Sequence, residues 1–318
     1  MNDVDASALR RKTVRWYGRN ARDLPWRHSD CSPWGVLVSE FMLQQTPVAR
    51  VLPVWRSWVE TYPAPADLAA APTGDAVRAW GRLGYPRRAL RLHAAATAIV
   101  RDHGGEVPPD NDALLALPGV GRYTAAAVAS FAFQQAHPVL DTNIRRVLGR
   151  VLTATPEPSA SPSAAEYALA ARLLPATGNA AARWNSAVME LGALVCTART
   201  PRCDDCPLRT DCAWLRAGRP AAETPGRPRQ AWHGTDRQLR GAIMAVLRAG
   251  GPVVLENFRA DPASGAEVPE AGLGAAQIDA LARLRDLNPD DARVDRLIGD
   301  LCADGLAVTR DGSLSLPQ

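Results

Sequence analysis

The sequence predicts a mainly helical protein that ends in a small α+β domain of winged-helix type. Three observations predict it. Residues 1–153 read as a run of helices, and strand-like alternation is almost absent before residue 250. Four cysteines crowd between Cys196 and Cys212, which points to a metal-binding loop closing the helical part. Beyond a linker rich in Pro, Gly and Ala, amphipathic helical stretches lead into a hairpin signal at Asp311-Gly312.

Each element has its own signal. Val36, Leu37, Glu40, Leu43 and Gln44 fall on helical spacing, with Pro47 beyond them. Ala79 to Arg101 and Ala113 to Leu117 favour helix through Ala, Leu and Arg. Leu117-Pro118-Gly119-Val120-Gly121 is a tight turn that opens a second helical stretch, Arg122 to Phe133. Thr155 to Ser163 is a Pro- and Ser-rich loop, and Ala164 to Val195 returns to helix. Ala217 to Arg229 reads as linker. Thr235 or Asp236 then caps a helix carrying Leu239, Ile243, Val246 and Leu247. Val294, Leu297, Ile298 and Leu301 form another apolar stripe, and Leu306 to Thr309 and Ser313 to Leu316 flank the hairpin turn.

Composition narrows the function. With 318 residues, 47% of them apolar, the chain can build cores in two or three domains. No run of about 18 apolar residues exists, so no membrane helix is expected. Met1 to Arg22 lacks the apolar core of a signal peptide, so a cytoplasmic protein is expected. Of 37 basic residues only Lys12 is lysine. Residues 1–230 carry 28 basic and 20 acidic groups, and residues 231–318 carry 9 and 13. The first part suits a polyanion and the acidic tail alone does not.

Three constellations carry chemistry. Cys196-x6-Cys203-x2-Cys206-x5-Cys212 supplies four soft ligands, which select zinc or an iron–sulfur cluster. Zinc sites commonly use two tight C-x2-C pairs, and the wider spacings here suit a cubane better. The turn around Gly119 and Gly121 exposes backbone N–H groups at a helix N-terminus, where a phosphate oxygen can bind without sequence being read. Glu40 lies in an otherwise apolar helix, and Asp141 follows the apolar run Pro138-Val139-Leu140. Two such acids suit a general acid and a charge stabiliser, although either could be an ordinary cap or ion pair.

These segments together resemble the A/G-specific adenine DNA glycosylases, in the iron–sulfur branch of the helix-hairpin-helix DNA glycosylase superfamily. The resemblance rests on Ser39-Glu40-Phe41-Met42-Leu43-Gln44-Gln45-Thr46, on Gly81-Arg82-Leu83-Gly84-Tyr85, and on the Leu117–Ala125 turn. It continues through Leu140 to Val147, Met189-Glu190-Leu191-Gly192 and the cysteine loop, all in family order. It implies a two-lobed fold: residues 1–27 and 137–215 around one [4Fe-4S] cluster, residues 28–136 as a helical barrel, a linker at 216–230, and the tail at 231–318. It implies a monomeric enzyme that flips adenine out of duplex DNA containing a mismatch or an oxidised guanine.

Roles follow residue by residue from the resemblance. Glu40 matches the acid that protonates the departing adenine, and Asp141 the carboxylate facing the cationic sugar. Asn143 and Tyr123 match their orienting neighbours. Tyr123 stands where bifunctional relatives carry a Schiff-base lysine, which implies a monofunctional enzyme. Gln45, Thr46, Leu83 and Tyr85 match residues that wedge into the stack near the opposite base. Trp26 and Arg27 match part of the adenine pocket, and Arg199 and Arg202 match basic residues offered to phosphate. Ser186 stands where many members have Gln or Glu beside the adenine, and the tail does not match their Nudix-like domain. A mismatch thymine or uracil glycosylase is the alternative enzyme, and an iron–sulfur DNA-binding regulator the alternative without catalysis.

Overall fold

The computed structural model describes residues 5–222, 232–259 and 272–318. Residues 223–230 of the expected linker lie outside them. In chain order the helices are α1 (Ala6–Asn20), α2 (Pro33–Leu43), α3 (Val48–Thr61), α4 (Pro65–Ala70), α5 (Thr73–Trp80), α6 (Arg87–His103), α7 (Asn111–Ala116) and α8 (Arg122–Phe131). They continue with α9 (Thr142–Leu148), α10 (Ala164–Leu173), α11 (Gly178–Leu194) and α12 (Ala213–Arg216). The tail adds α13 (Asp236–Ala249), β1 (Val253–Val254), α14 (Glu256–Arg259), α15 (Ala275–Arg285), α16 (Asp291–Ala303), β2 (Val308–Arg310) and β3 (Ser313–Ser315).

Packing divides the chain into two units, residues 1–40 with 107–226, and residues 41–106 with 227–318. The first unit is built on α9 and α11. Ile144, Val147, Leu148, Trp184, Val188 and Leu191 are buried together with Leu9 of α1 and Ala126 and Ala127 of α8. The sequence-based boundaries group residues 28–136, whereas α7 and α8 belong to this unit because α8 packs on α11. Gly192 makes the α9–α11 approach possible. A Cβ there would stand 2.7 Å from Asn143 Cβ and 2.8 Å from its carbonyl oxygen.

The second unit is centred on Trp58, whose ring meets Tyr62 and Trp80 edge-on at 5.3 and 5.6 Å. The helix expected over Ala79 to Arg101 is interrupted. α5 ends at Trp80 and α6 starts at Arg87, because Gly81 and Gly84 take φ of 55° and 85°. Likewise Leu174-Pro175 separates α10 from α11 within the stretch expected as one helix.

The tail has the element order of a winged helix. Thr235 caps α13, its side chain accepting from Gln238 N. Asp311 and Gly312 both adopt positive φ, 49° and 70°, as a two-residue hairpin of this hand requires. β3 pairs antiparallel with both β2 and β1, giving the order β1-β3-β2. The two-residue β1 carried no legible sequence signal. The tail packs on the rest of its unit. Pro317 O lies where a side chain on Gly74 would be, Arg248 Nε donates to Val77 O at 3.3 Å, and Asp304 pairs with Arg87 at 3.0 Å and with Arg240.

Candidate active site

Glu40 arrives on α2, which is apolar all round and correspondingly buried: Val36, Leu37, Val38, Phe41 and Met42 are all at or near zero exposure. Glu40 itself is 5% exposed. Burial lifts its carboxyl to about 7, and the nearby Asp141 charge adds to the rise, against a hydrogen bond with Tyr123 and the charge of Arg27. Tyr123 opens α8 and is pushed well above its ordinary value by burial and by Glu40. Asp141 is the N-cap of α9, accepting from Ile144 N at 2.6 Å and Asn143 Nδ2 at 2.7 Å. Burial raises the Asp141 carboxyl, and these donors pull it back down. Glu40, Tyr123, Asp141 and Asn143 are therefore one constellation within the first unit.

Arg27 sits in a short 3-10 turn, Pro25–Arg27, beside buried Trp26. Its Nη2 donates to Glu190 Oε2 at 2.8 Å, while its buried Nη1 has no partner. Glu190 also accepts from Arg22 N, Nε and Nη2 at 2.9, 2.7 and 2.8 Å. Burial would push Glu190 up, but these donors hold it down at about 2. An ionised, fully buried carboxylate thus fixes the Arg27 guanidinium, while its Nη1 stays without a hydrogen-bond partner among the described residues.

The turn between α7 and α8 is closed by Val120 N donating to Leu117 O at 3.1 Å, with Gly119 at φ 77°. Gly121 is extended, and nothing stands within 4 Å of where its side chain would be. Its missing side chain leaves room for close approach to the first N–H groups of α8.

The four cysteines line one cavity with Arg150, Val195, Trp214 and Leu215. Arg150 organises it. Its Nη1 lies 3.5 Å from Cys196 Sγ and 2.8 Å from Thr197 O, its Nη2 donates to Ala198 O at 3.0 Å, and its plane covers the Trp214 ring at 4.6 Å. Cys212 Sγ approaches Arg150 O at 3.6 Å. Four thiols around one enclosed space, with a cation beside one of them, fit a thiolate-ligated anionic cluster. Burial pushes the Cys206 thiol up to about 12, so binding such a cluster displaces protons. Arg199 and Arg202 are exposed on this loop, and Arg202 Nη2 also donates to Leu194 O at 2.6 Å.

In the second unit the proposed wedge residues occupy two strained turns. Gln45 and Tyr85 both hold positive φ, 56° and 48°, without being glycine. Arg88 ties the turns together. It donates to Phe41 O and Met42 O at 3.0 and 3.1 Å, to Thr46 Oγ1 at 2.9 Å and to Gly84 O at 3.0 Å. Leu83 is buried, whereas Tyr85 is 51% exposed.

Residues 38–172 match the HhH-GPD superfamily of base excision DNA repair proteins, and residues 196–212 match the iron–sulfur binding domain of endonuclease III. The adenine DNA glycosylase of Mycobacterium tuberculosis H37Rv is 48% identical over 96% of this chain and 92% of its own length. The chain belongs to the adenine DNA glycosylases. The Mycolicibacterium smegmatis member of this family is 44% identical over 95% of the chain and 94% of its own length. A thermostable thymine-DNA glycosylase has the same fold over 67% of this chain and 97% of its own, with a TM-score of 0.60 and 28% identity. Endonuclease III bound non-covalently to DNA shares the fold at a TM-score of 0.57 and 24% identity, over 68% of this chain and 98% of its own.

For an adenine glycosylase the four cysteines at 196, 203, 206 and 212 are the ligands of the [4Fe-4S] cluster. Ser186 lies half-buried on α11, and no hydrogen bond joins it to the carboxylates. Sequence reasoning overlooked Glu190, Arg88 and Arg146. Arg146 Nε donates to Cys196 O at 2.7 Å, and its Nη2 donates to Gly192 O at 2.9 Å and Asn143 Oδ1 at 2.8 Å. A single guanidinium therefore joins a cluster cysteine's backbone to the residue that holds Asp141. The available signal was Glu190 and Arg146 standing inside quoted motifs, Glu190 as the one acid of the largely apolar α11.

Proposed function

We propose that this chain is a monofunctional glycosylase that hydrolyses the N-glycosidic bond of adenine mispaired with 8-oxoguanine or guanine. It would act on duplex DNA as a monomer, in the cytoplasm at the nucleoid. The observation that carries the reading is Glu40: a buried carboxyl poised at about 7, hydrogen-bonded to Tyr123 and near Asp141. A group poised there keeps a proton to give at neutral pH.

The protonated carboxyl of Glu40 donates to a ring nitrogen of adenine as the bond to the sugar breaks. Adenine then leaves neutral instead of as an anion. The sugar becomes cationic, and Asp141, its charge held by Ile144 N and Asn143 Nδ2, stabilises it. Water adds to the sugar carbon and its proton returns to Glu40, leaving an abasic site. Trp26 and the free Nη1 of Arg27 support a pocket for the flipped base. Gln45, Thr46, Leu83 and Tyr85 serve as wedge residues, and the Gly119–Gly121 turn with Arg199 and Arg202 serves as phosphate contacts. The cluster, held by its four cysteines, supplies structure to the loop that bears these arginines.

The monofunctional reading draws on the lysine content. The chain's one lysine, Lys12, pairs with Asp211 at 2.7 Å. A labelled duplex with adenine opposite 8-oxoguanine, split and half heated in alkali, tests the whole proposal. The expected result is cleavage of the adenine strand only after alkali. Cleavage at thymine or uracil in T:G or U:G duplexes, or strand cleavage without alkali, would overturn it.

A further inference from the structure

The tail is acidic, yet it places an arginine, unpaired by any described carboxylate, against two exposed aromatic rings. Arg237, in the first turn of α13, stacks over the Trp232 ring at 5.5 Å and over the Tyr85 ring at 5.9 Å. Arg88 lies against the Tyr85 ring at 5.3 Å. Tyr85 and Trp232 are the aromatic residues among the exposed large hydrophobics, at 51% and 48% exposure. Trp232 is fixed in place: its carbonyl accepts from Thr235 Oγ1 at 2.8 Å, and its ring rests against the bare backbone of Gly241.

The neighbouring arginines are already neutralised. Arg240 pairs with Asp304, and Arg293 and Arg296 pair with Asp236. Among the described residues no carboxylate pairs with Arg237. A guanidinium held between ring faces keeps its edge donors free. The tail's anchorage through Arg248, Asp304 and Pro317 holds this arrangement on the unit that carries the wedge turns. An open groove lined by Arg50, Val54, Arg82 and Leu83 adds positive charge on the same unit. Exposed rings alternating with cations form a stacking platform for a nucleobase, and arginine's planar fork suits the carbonyl edge of guanine.

We propose that Trp232 and Arg237 of the tail form, with Tyr85, the site that reads the base opposite the target adenine: a guanine-type base stacks on the exposed rings and Arg237 donates to its carbonyl edge. The proposal rests on the adenine-glycosylase reading above. Guanine and 8-oxoguanine share the O6 carbonyl, which cytosine lacks in this position. The tail thereby takes part in opposite-base recognition without a Nudix-like domain.

The test uses the full chain, with its cluster, and duplexes that carry an uncleavable 2′-fluoro-adenosine opposite 8-oxoguanine, guanine or cytosine. Equilibrium binding is measured for the unsubstituted chain, Arg237→Ala and Arg237→Lys. Both variants are expected to weaken the two guanine-type duplexes about ten-fold more than the cytosine duplex. The A:8-oxoguanine and A:G arms show which base loses more. Equal weakening of all three duplexes, or discrimination retained by Arg237→Lys, would make Arg237 a phosphate contact and overturn the proposal. So would unchanged binding. Adenine release by the unsubstituted chain is followed separately on ordinary duplexes. Its absence would defeat the proposed function alone, because the binding comparison breaks no bond.

Discussion

An ordinary glutamate gives up its proton near pH 4.5, whereas burial lifts the Glu40 carboxyl to about 7. Folded Glu40 therefore keeps its proton to higher pH than the unfolded chain does. Between about 4.5 and about 7 the folded state loses stability as pH rises. The same group is the acid, so single-turnover adenine release should fall as pH rises through about 7. Glu40→Gln removes the titration and keeps an acceptor for Tyr123. It should slow base release by about 10²–10⁴-fold while stabilising the fold at neutral pH by ~1–3 kcal/mol. Release kinetics and thermal melting of the two proteins check both halves. A variant that releases adenine at the normal rate would remove Glu40 from the chemistry. Glu40, Asp141 and Tyr123 were legible in the sequence because each stands in a short motif. Glu190 stands in one too, but its role was not legible, because that role exists only through Arg22 and Arg27, more than 160 residues away in the chain.

At the scale of elements, the two strained turns at Gln45 and Tyr85 depend on one buried arginine. Arg88 accounts for the last carbonyls of α2, which lack partners within the helix, and for Thr46 and Gly84 in the turns. Burial lowers its guanidinium to about 10, still charged at any working pH. Arg88→Met keeps most of the volume and strips every one of these donors. It should cost about 3 kcal/mol or more in denaturant unfolding. It should also weaken duplex binding more than it slows release from saturated enzyme. Equal stability of variant and parent would show that the turns hold themselves. The helices around these turns were readable from apolar spacing, but the break at Gly81–Pro86 was not. Ala, Leu and Arg on both sides favour helix and outweighed the available signal, Gly81, Gly84 and Pro86, and the positive φ of Gly81, Gly84 and Tyr85 makes the turn plain.

Across the whole molecule, the order of motifs carried the fold class, and chemistry decided the metal loop. The tail was legible as helices with a terminal hairpin, yet not as part of the unit formed with residues 41–106. Such packing joins segments far apart in sequence, through contacts like Pro317 against Gly74, which no local pattern encodes. A second long-range connection runs from Cys196 through Arg146 and Asn143 to Asp141. Arg146→Gln breaks it at the guanidinium. The expected result is slower adenine release together with faster loss of the iron–sulfur absorbance at about 410 nm under chelation. An unchanged absorbance decay with slowed release would confine Arg146 to positioning Asp141.

The Lys12–Asp211 pair has a practical consequence. A chain with a single lysine carries a single ε-amine, and this one lies 2.7 Å from a carboxylate between the third and fourth cysteines. An amine-reactive fluorophore applied at alkaline pH would have one side-chain target, at the edge of the cysteine loop. The protein thus comes with its own attachment point for an optical probe of that loop, and no residue needs to be engineered to place it.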